Sequence, residues 1–325
     1  LISSLGEIAE LRAMRNVATG AGAVVWSKYS SIALGSVFAA NNTVYASSSH
    51  FGIGKQTASF ASHLRMHNAG VDSTVVGGGV LAFHGGLLTN SLWSVQPYPL
   101  LIGAHTNLTS NTALLHTADP AAPAAAVRGG ALLLVDAVVE LPAASITRNV
   151  AAHFGGGIAA QECYFYLDFK FELDGNRAST GAGLYGNTFF LTVDSGTFTC
   201  ANNAATTNGG CAYLSSSTVT TPIPFQLIAN AAAFGAAFFA TNSKLDLLTS
   251  SFSQNRASAA GSCLFWDDSL NVTMFADVTM WKLASDNTQS SWGGAIATSA
   301  HALSLVEFSA PPFWWCCRPA VAATT

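Results

Sequence analysis

The sequence predicts an all-β protein, a parallel β-helix of about eleven coils, and three observations carry that prediction. An asparagine followed by small residues, and then by a Gly-rich tetrapeptide, returns at a near-constant interval. Apolar residues return at fixed offsets from each copy. Between the copies run short β-branched and aromatic stretches. The regular copies are Asn149 with Gly155-Gly-Gly-Ile158, Asn176 with Gly181-Ala-Gly-Leu184, Asn203 with Gly209-Gly-Cys-Ala212, Asn230 with Gly235-Ala-Ala-Phe238 and Asn255 with Gly261-Ser-Cys-Leu264. The asparagines lie 27, 27, 27 and 25 residues apart (176−149, 203−176, 230−203, 255−230).

Each part of the unit has a physical reading. Three residues before each asparagine stand Ile146, Leu173, Cys200, Leu227 and Phe252, an apolar set that predicts one buried ladder. Ile158, Leu184, Ala212, Phe238 and Leu264 predict a second. Glu162, Thr188, Ser216, Asn242 and Asp268 fall at one polar offset and predict a turn. Phe189-Phe-Leu-Thr-Val193 and Thr197-Phe-Thr-Cys200 read as strands. A unit of this size holds about three strands of 4–6 residues and three turns, and it is too short and too weakly periodic for paired helices. Stacked coils bring equal positions within ~4.7 Å, so Asn149, Asn176, Asn203, Asn230 and Asn255 are expected to stack and exchange amide hydrogen bonds. Asn and Gly also tolerate the positive φ of a tight corner.

The frame extends outward less regularly, through Asn16 with Gly20-Ala-Gly-Ala23, Asn41 before Gly52, Asn68 before Gly77-Gly-Gly-Val80, Gly129-Gly-Ala-Leu132, and Asn287 before Gly293-Gly-Ala-Ile296. Residues 97–126 break the period and contain Pro120 and Pro123, which reads as a loop inserted in a β-helix covering 1–310. The segment 311–325 breaks the repeat again, as a cap or a link to a further domain. Eleven coils would make a rod on the order of 50 Å long.

Gly293-Gly-Ala-Ile296, Phe38-Ala-Ala-Asn41 and Phe252-Ser-Gln-Asn255 resemble the paired Gly-Gly-Ala-Ile and Phe-x-x-Asn tetrapeptides of the polymorphic outer membrane protein repeats, best known from chlamydial surface adhesins. Degenerate copies cover most of residues 16–296. The resemblance implies a right-handed β-helix of the pectin-lyase-like type, and surface adhesion or assembly. The alternating pattern of a C-terminal transmembrane barrel does not follow the repeats.

Composition narrows the function. Charged residues are 9% of the 325, half the residues are hydrophobic and the net charge is −4. No basic cluster suits nucleic acid, and the longest apolar run, 231–240, is too short to span a bilayer. The chain begins at Leu1 without a charged and then apolar leader, and reads as a mature form or a fragment. The sparsely charged surface reads either as one covered by neighbouring subunits or glycans, or as neutral and wet. Of six cysteines, Cys200 and Cys211 flank one corner and are either a disulfide within a coil or two small ladder residues. Asn41, Asn107 and Asn271 begin Asn-x-Thr sequons and are candidate N-glycosylation sites.

Signs of catalysis are sparse. Asp168 and Asp194 share an offset and are expected about one coil apart, where they would share a proton, hold a cation or simply face water. His63 and His67 are four apart, on a segment that reads equally as helix or as strand and turn. No phosphate loop or nucleophile elbow is present, and the glycines recur with the period, as corners do. No cofactor or metal is expected. The reading is a non-enzymatic extracellular structural protein that packs against copies of itself, other extracellular chains or glycans. A polysaccharide lyase or hydrolase is the alternative, followed by a carbohydrate-binding module using Trp266, Trp281 and Trp292.

Overall fold

The computed structural model describes residues 5–19, 22–28, 31–46, 76–77, 79–84, 87–89, 95–97, 99–115, 127–193, 195–221, 223–247, 250–267, 271–273, 279–281 and 296–298. It is a parallel β-solenoid. Among the described residues every strand pairing but one runs parallel; the exception is the pairing of Leu87–Thr89 with Val95–Pro97. Among the described residues no helix is long and apolar enough to cross a membrane.

One coil shows the plan. After Asn203 come strands Ala204–Asn208, Ala212–Ser215, Thr218–Thr221 and Phe225–Ile228, and the next coil starts at Asn230. This coil has four strands where three were expected, whereas the coil from Asn176 has the three strands Arg177–Thr180, Leu184–Val193 and Thr197–Ala201. The extra break lies at the polar offset. Asp136, Glu162, Thr188, Ser216 and Asn242 all take positive φ; the strand breaks at Asp136, Ser216 and Asn242 and runs on through Glu162 and Thr188. Two further columns of positive φ turn the chain. One is the first glycine of each tetrapeptide, Gly129, Gly155, Gly181, Gly209, Gly235 and Gly261. The other is the residue before each asparagine, which is Arg15, Asn41, Ser110, Arg148, Gly175, Asn202, Ala229 or Gln254. The stacked asparagines themselves are not the left-handed residues, contrary to their expected role at the corner.

The first buried ladder forms in register. Leu108, Ile146, Leu173, Cys200, Leu227 and Phe252 pair successively and are all buried. Ala39 and Ala13 continue it toward the N-terminus. Phenylalanines fill the space beside it: Phe171, Phe198 and Phe225 stack with centroids 5.4 and 4.3 Å apart. This interior is the main core, and a column of small residues, Ala151, Ala178, Ala205, Ala232 and Ala257, packs separately.

The asparagine column has eight rungs, Asn16, Asn42, Asn111, Asn149, Asn176, Asn203, Asn230 and Asn255. Eight rungs span about seven turns, fewer than the eleven expected. The excess arose because 69 residues separate Asn42 from Asn111, and they close one long coil where the repeat length suggested more. The insertion expected over 97–126 does not hold over its first part, since Pro99–Thr109 and Thr112–Leu115 are coil strands, and residues 116–126 lie outside the described residues. Two motif frames also shift. Asn42, not Asn41, is the buried rung, and Gly22 takes the corner glycine's positive φ. At the C-terminal copy Ile296 pairs with Leu264, while Asn287 and Gly293 lie outside the described residues. Residues 311–325 lie outside the described residues.

Two substitutions at one corner should move stability in opposite directions. Asn203→Ala strands the Asn176 backbone N–H and one Asn176 Nδ2 hydrogen inside the solenoid and removes the side-chain donor to the Leu173 carbonyl, and should cost on the order of 3 kcal/mol. Ala229→Gly removes the strain of a Cβ at φ 53 and should gain about 1 kcal/mol. Chemical denaturation of the two variants beside the parent checks both; an unchanged midpoint for Asn203→Ala would contradict the ladder.

Candidate functional site: the asparagine corner and the outer aromatic columns

The corner is built from backbone geometry. The left-handed residue before each asparagine turns the chain so that the asparagine side chain points inward, toward the coil that follows. Its Oδ1 accepts two hydrogen bonds from the preceding rung. Asn203 Oδ1 takes the Asn176 backbone N–H at 2.9 Å and the Asn176 Nδ2 at 3.0 Å. Its Nδ2 donates onward to Asn230 Oδ1 at 3.0 Å and back to the Leu173 carbonyl at 2.9 Å. The same set recurs at Asn42, Asn111, Asn149, Asn176 and Asn230. Each side-chain amide thereby uses all its hydrogen-bonding capacity, and it is structural. Serines do a similar task at the next corner. Ser217 Oγ accepts the Phe189 N–H at 3.1 Å, and Ser243 Oγ accepts that of Ser217 at 3.0 Å.

Cys200 and Cys211 are joined in a disulfide with Cα atoms 5.9 Å apart. It bridges the interior between the apolar ladder and the Gly-rich corner, where the neighbouring coil has Leu227 and Ala237. Asn203 Nδ2 also touches Cys200 Sγ at 3.2 Å. Cys163 and Cys263 are buried. Cys163 occupies the serine column of the polar corner and donates to the Gln161 carbonyl at 3.1 Å, as Ser217 does to Ser215. Burial pushes its thiol up to about 12.

The remaining sequence candidates scatter. Asn41 is an exposed corner residue, and Asn107 is exposed on the strand Pro99–Thr109. Asn271 lies on the strand Asn271–Thr273, with its side chain outside the described residues. The carboxylate pair also lies outside them, through Asp194 and the side chain of Asp168. So do His63, His67, Trp292 and the side chains of Trp266 and Trp281. Among the described residues, no three His, Cys, Asp or Glu side chains converge as a metal site would require.

The outer faces carry ordered features that the repeat motif alone does not signal. Tyr185, Tyr213, Phe239 and Phe265 occupy one outward position of successive coils. Their rings stack at 5.3, 5.2 and 5.0 Å with interplanar angles of 3°, 10° and 15°. Phe154 closes on Tyr185 at 4.8 Å, and the Arg128 guanidinium lies over both rings, at 5.4 Å from Phe154 and 5.7 Å from Tyr185. Burial raises the Tyr185 phenol above its ordinary value, and Arg128 opposes that shift. These rings cover one another's faces, so flat stacking of a sugar on them is blocked. A second column runs Val138, Tyr164, Phe190, Thr218 and Lys244. Tyr164 and Phe190 stack at 4.7 Å, while Tyr164 is 44% exposed and neighbouring Tyr166 is 46% exposed. The alternation Tyr164-x-Tyr166 about inward Phe165 was the available signal for this patch.

No family model matches the chain, and no curated protein or solved structure matches it.

The thiols should separate by burial. In the folded protein Cys163 stays protonated through neutral and mildly alkaline pH, so alkylation at pH 8 should leave it unlabelled until the chain unfolds. Its folded-state value lies above its ordinary 9.0, so the associated stability is complete below pH 9 and is lost as pH rises toward about 12. Mass mapping of alkylated peptides checks this; labelling of Cys163 in the native state would contradict its buried placement.

Proposed function

We propose that this chain is a non-enzymatic extracellular structural protein that packs side by side with copies of itself or with other extracellular chains in a surface layer or filament. One observation carries the reading. Tyr164 and Tyr166 stand exposed on the outside of the solenoid, with half-buried Phe190 of the next coil stacked on Tyr164, in a chain where only 9% of residues are charged. Few charges leave such a patch little to keep molecules apart. The Cys200–Cys211 disulfide favours an oxidising exterior. The resemblance to surface-adhesin repeats points the same way.

Sedimentation of the native protein, with the Tyr164→Lys/Tyr166→Lys variant beside it, tests the proposal. The parent is expected to associate through contacts burying at least ~1,000 Å². The variant is expected to sediment as a monomer with its thermal unfolding unchanged. A monomeric parent that cleaves a pectin-like polymer would reject the structural reading and establish the lyase or hydrolase instead.

A further inference from the structure

The strand Pro99–Thr109 alternates inward and outward, and inward Leu108 sits in the core ladder at 1% exposure. Asn107, beside it, faces solvent and begins the sequon Asn107-Leu108-Thr109. Thr109 Oγ1 donates to Asn107 Oδ1 at 2.6 Å, which holds the amide oxygen along the strand and leaves Nδ2 on the opposite edge. Across the coil boundary Asn107 pairs with Phe38 on one side and Ser145 on the other. Phe38 is an apolar ring 43% exposed on an outer face, one strand spacing of ~4.8 Å away. The sequon at Asn41 lacks this set. It straddles the corner, with buried Asn42 between Asn41 and Thr43, and Asn271 lies on a strand whose side chains are not described.

We propose that Asn107 carries an N-linked glycan whose first sugar rests its apolar face on Phe38. The inference depends on the extracellular reading above, because the modification belongs to the secretory route. In the transfer, the Asn107 side-chain nitrogen attacks the anomeric carbon of an oligosaccharide carried on a polyprenyl diphosphate. The new C–N bond replaces the C–O bond to the diphosphate, which departs with the electron pair, and the amide nitrogen loses one proton. The attached sugar then covers Phe38, the kind of exposed apolar surface that invites aggregation when left bare. The glycan thus stands on the face formed by Pro99–Thr109 and Val138–Thr147, with the Tyr164–Tyr166 patch on strand Ile158–Asp174 left available for packing.

Peptide mapping of the native protein by mass spectrometry, before and after treatment with peptide N-glycosidase, decides attachment. The expected result is an Asn107 peptide bearing N-acetylhexosamine-based mass, which the enzyme converts to a peptide with Asp at 107. An unmodified Asn107 overturns the inference. The state of Cys200 and Cys211 in the same map separates the two readings. Oxidised cysteines with bare Asn107 overturn the glycan alone, and reduced cysteines with bare Asn107 overturn the extracellular reading as well. Contact with Phe38 has its own measurement. Enzymatic deglycosylation should lower the unfolding temperature of the parent and lower that of Phe38→Ser less; equal losses would overturn the contact.

Discussion

Everything in this solenoid depends on a column of buried asparagines that bond to one another from coil to coil. A coil closed on itself must bury polar backbone at its corner, and an unpaired buried amide costs about 1–3 kcal/mol. The side-chain amide of asparagine answers this in both directions at once. It accepts from the coil before, and donates to the coil after and to a carbonyl two coils back. The bonds lock the register of neighbouring coils, and a locked register places Leu on Leu, Phe on Phe and Tyr on Tyr. The core and the outer columns follow from it.

The other corners show how little residue type matters once that register is set. The residue before each asparagine adopts a left-handed conformation whether it is Arg148, Ser110, Ala229 or Gln254. Such a conformation disfavours any side chain with a Cβ. It persists because the coil must close, and the glycine corner supplies the turn without strain. A scaffold that turns at fixed columns presents each outward position as a straight row.

The fold class was legible because its inward positions repeat with little variation. Ile146, Leu173, Leu227 and Phe252 announce a ladder by their offset, and the structure keeps their register. Errors arose where local resemblance outweighed burial. Phe38-Ala-Ala-Asn41 imitates Phe252-Ser-Gln-Asn255, yet its phenylalanine is exposed and the buried rung is the following Asn42. Asn111 was missed because flanking prolines suggested a loop, although Leu108 stands three residues before it, as the ladder requires. Pro99 opens its strand, a position where the missing N–H is tolerated. The fourth strand of the coil after Asn203 was hidden for a different reason. Ser216 adopts a positive φ and breaks the strand, which its residue type does not signal. The candidate site was the least legible part, since stacked outward rings arise from register, and no single motif encodes register.

The central claim is that the asparagine column is the most protected part of the molecule. Native-state hydrogen exchange followed residue by residue tests it directly. The backbone N–H groups of Asn149, Asn176, Asn203 and Asn230, each bonded to the next rung's Oδ1, should exchange only through global unfolding, in the slowest class of the protein. Exchange of these amides as fast as that of exposed residues on the outer strands, while the core leucines stay protected, would contradict it.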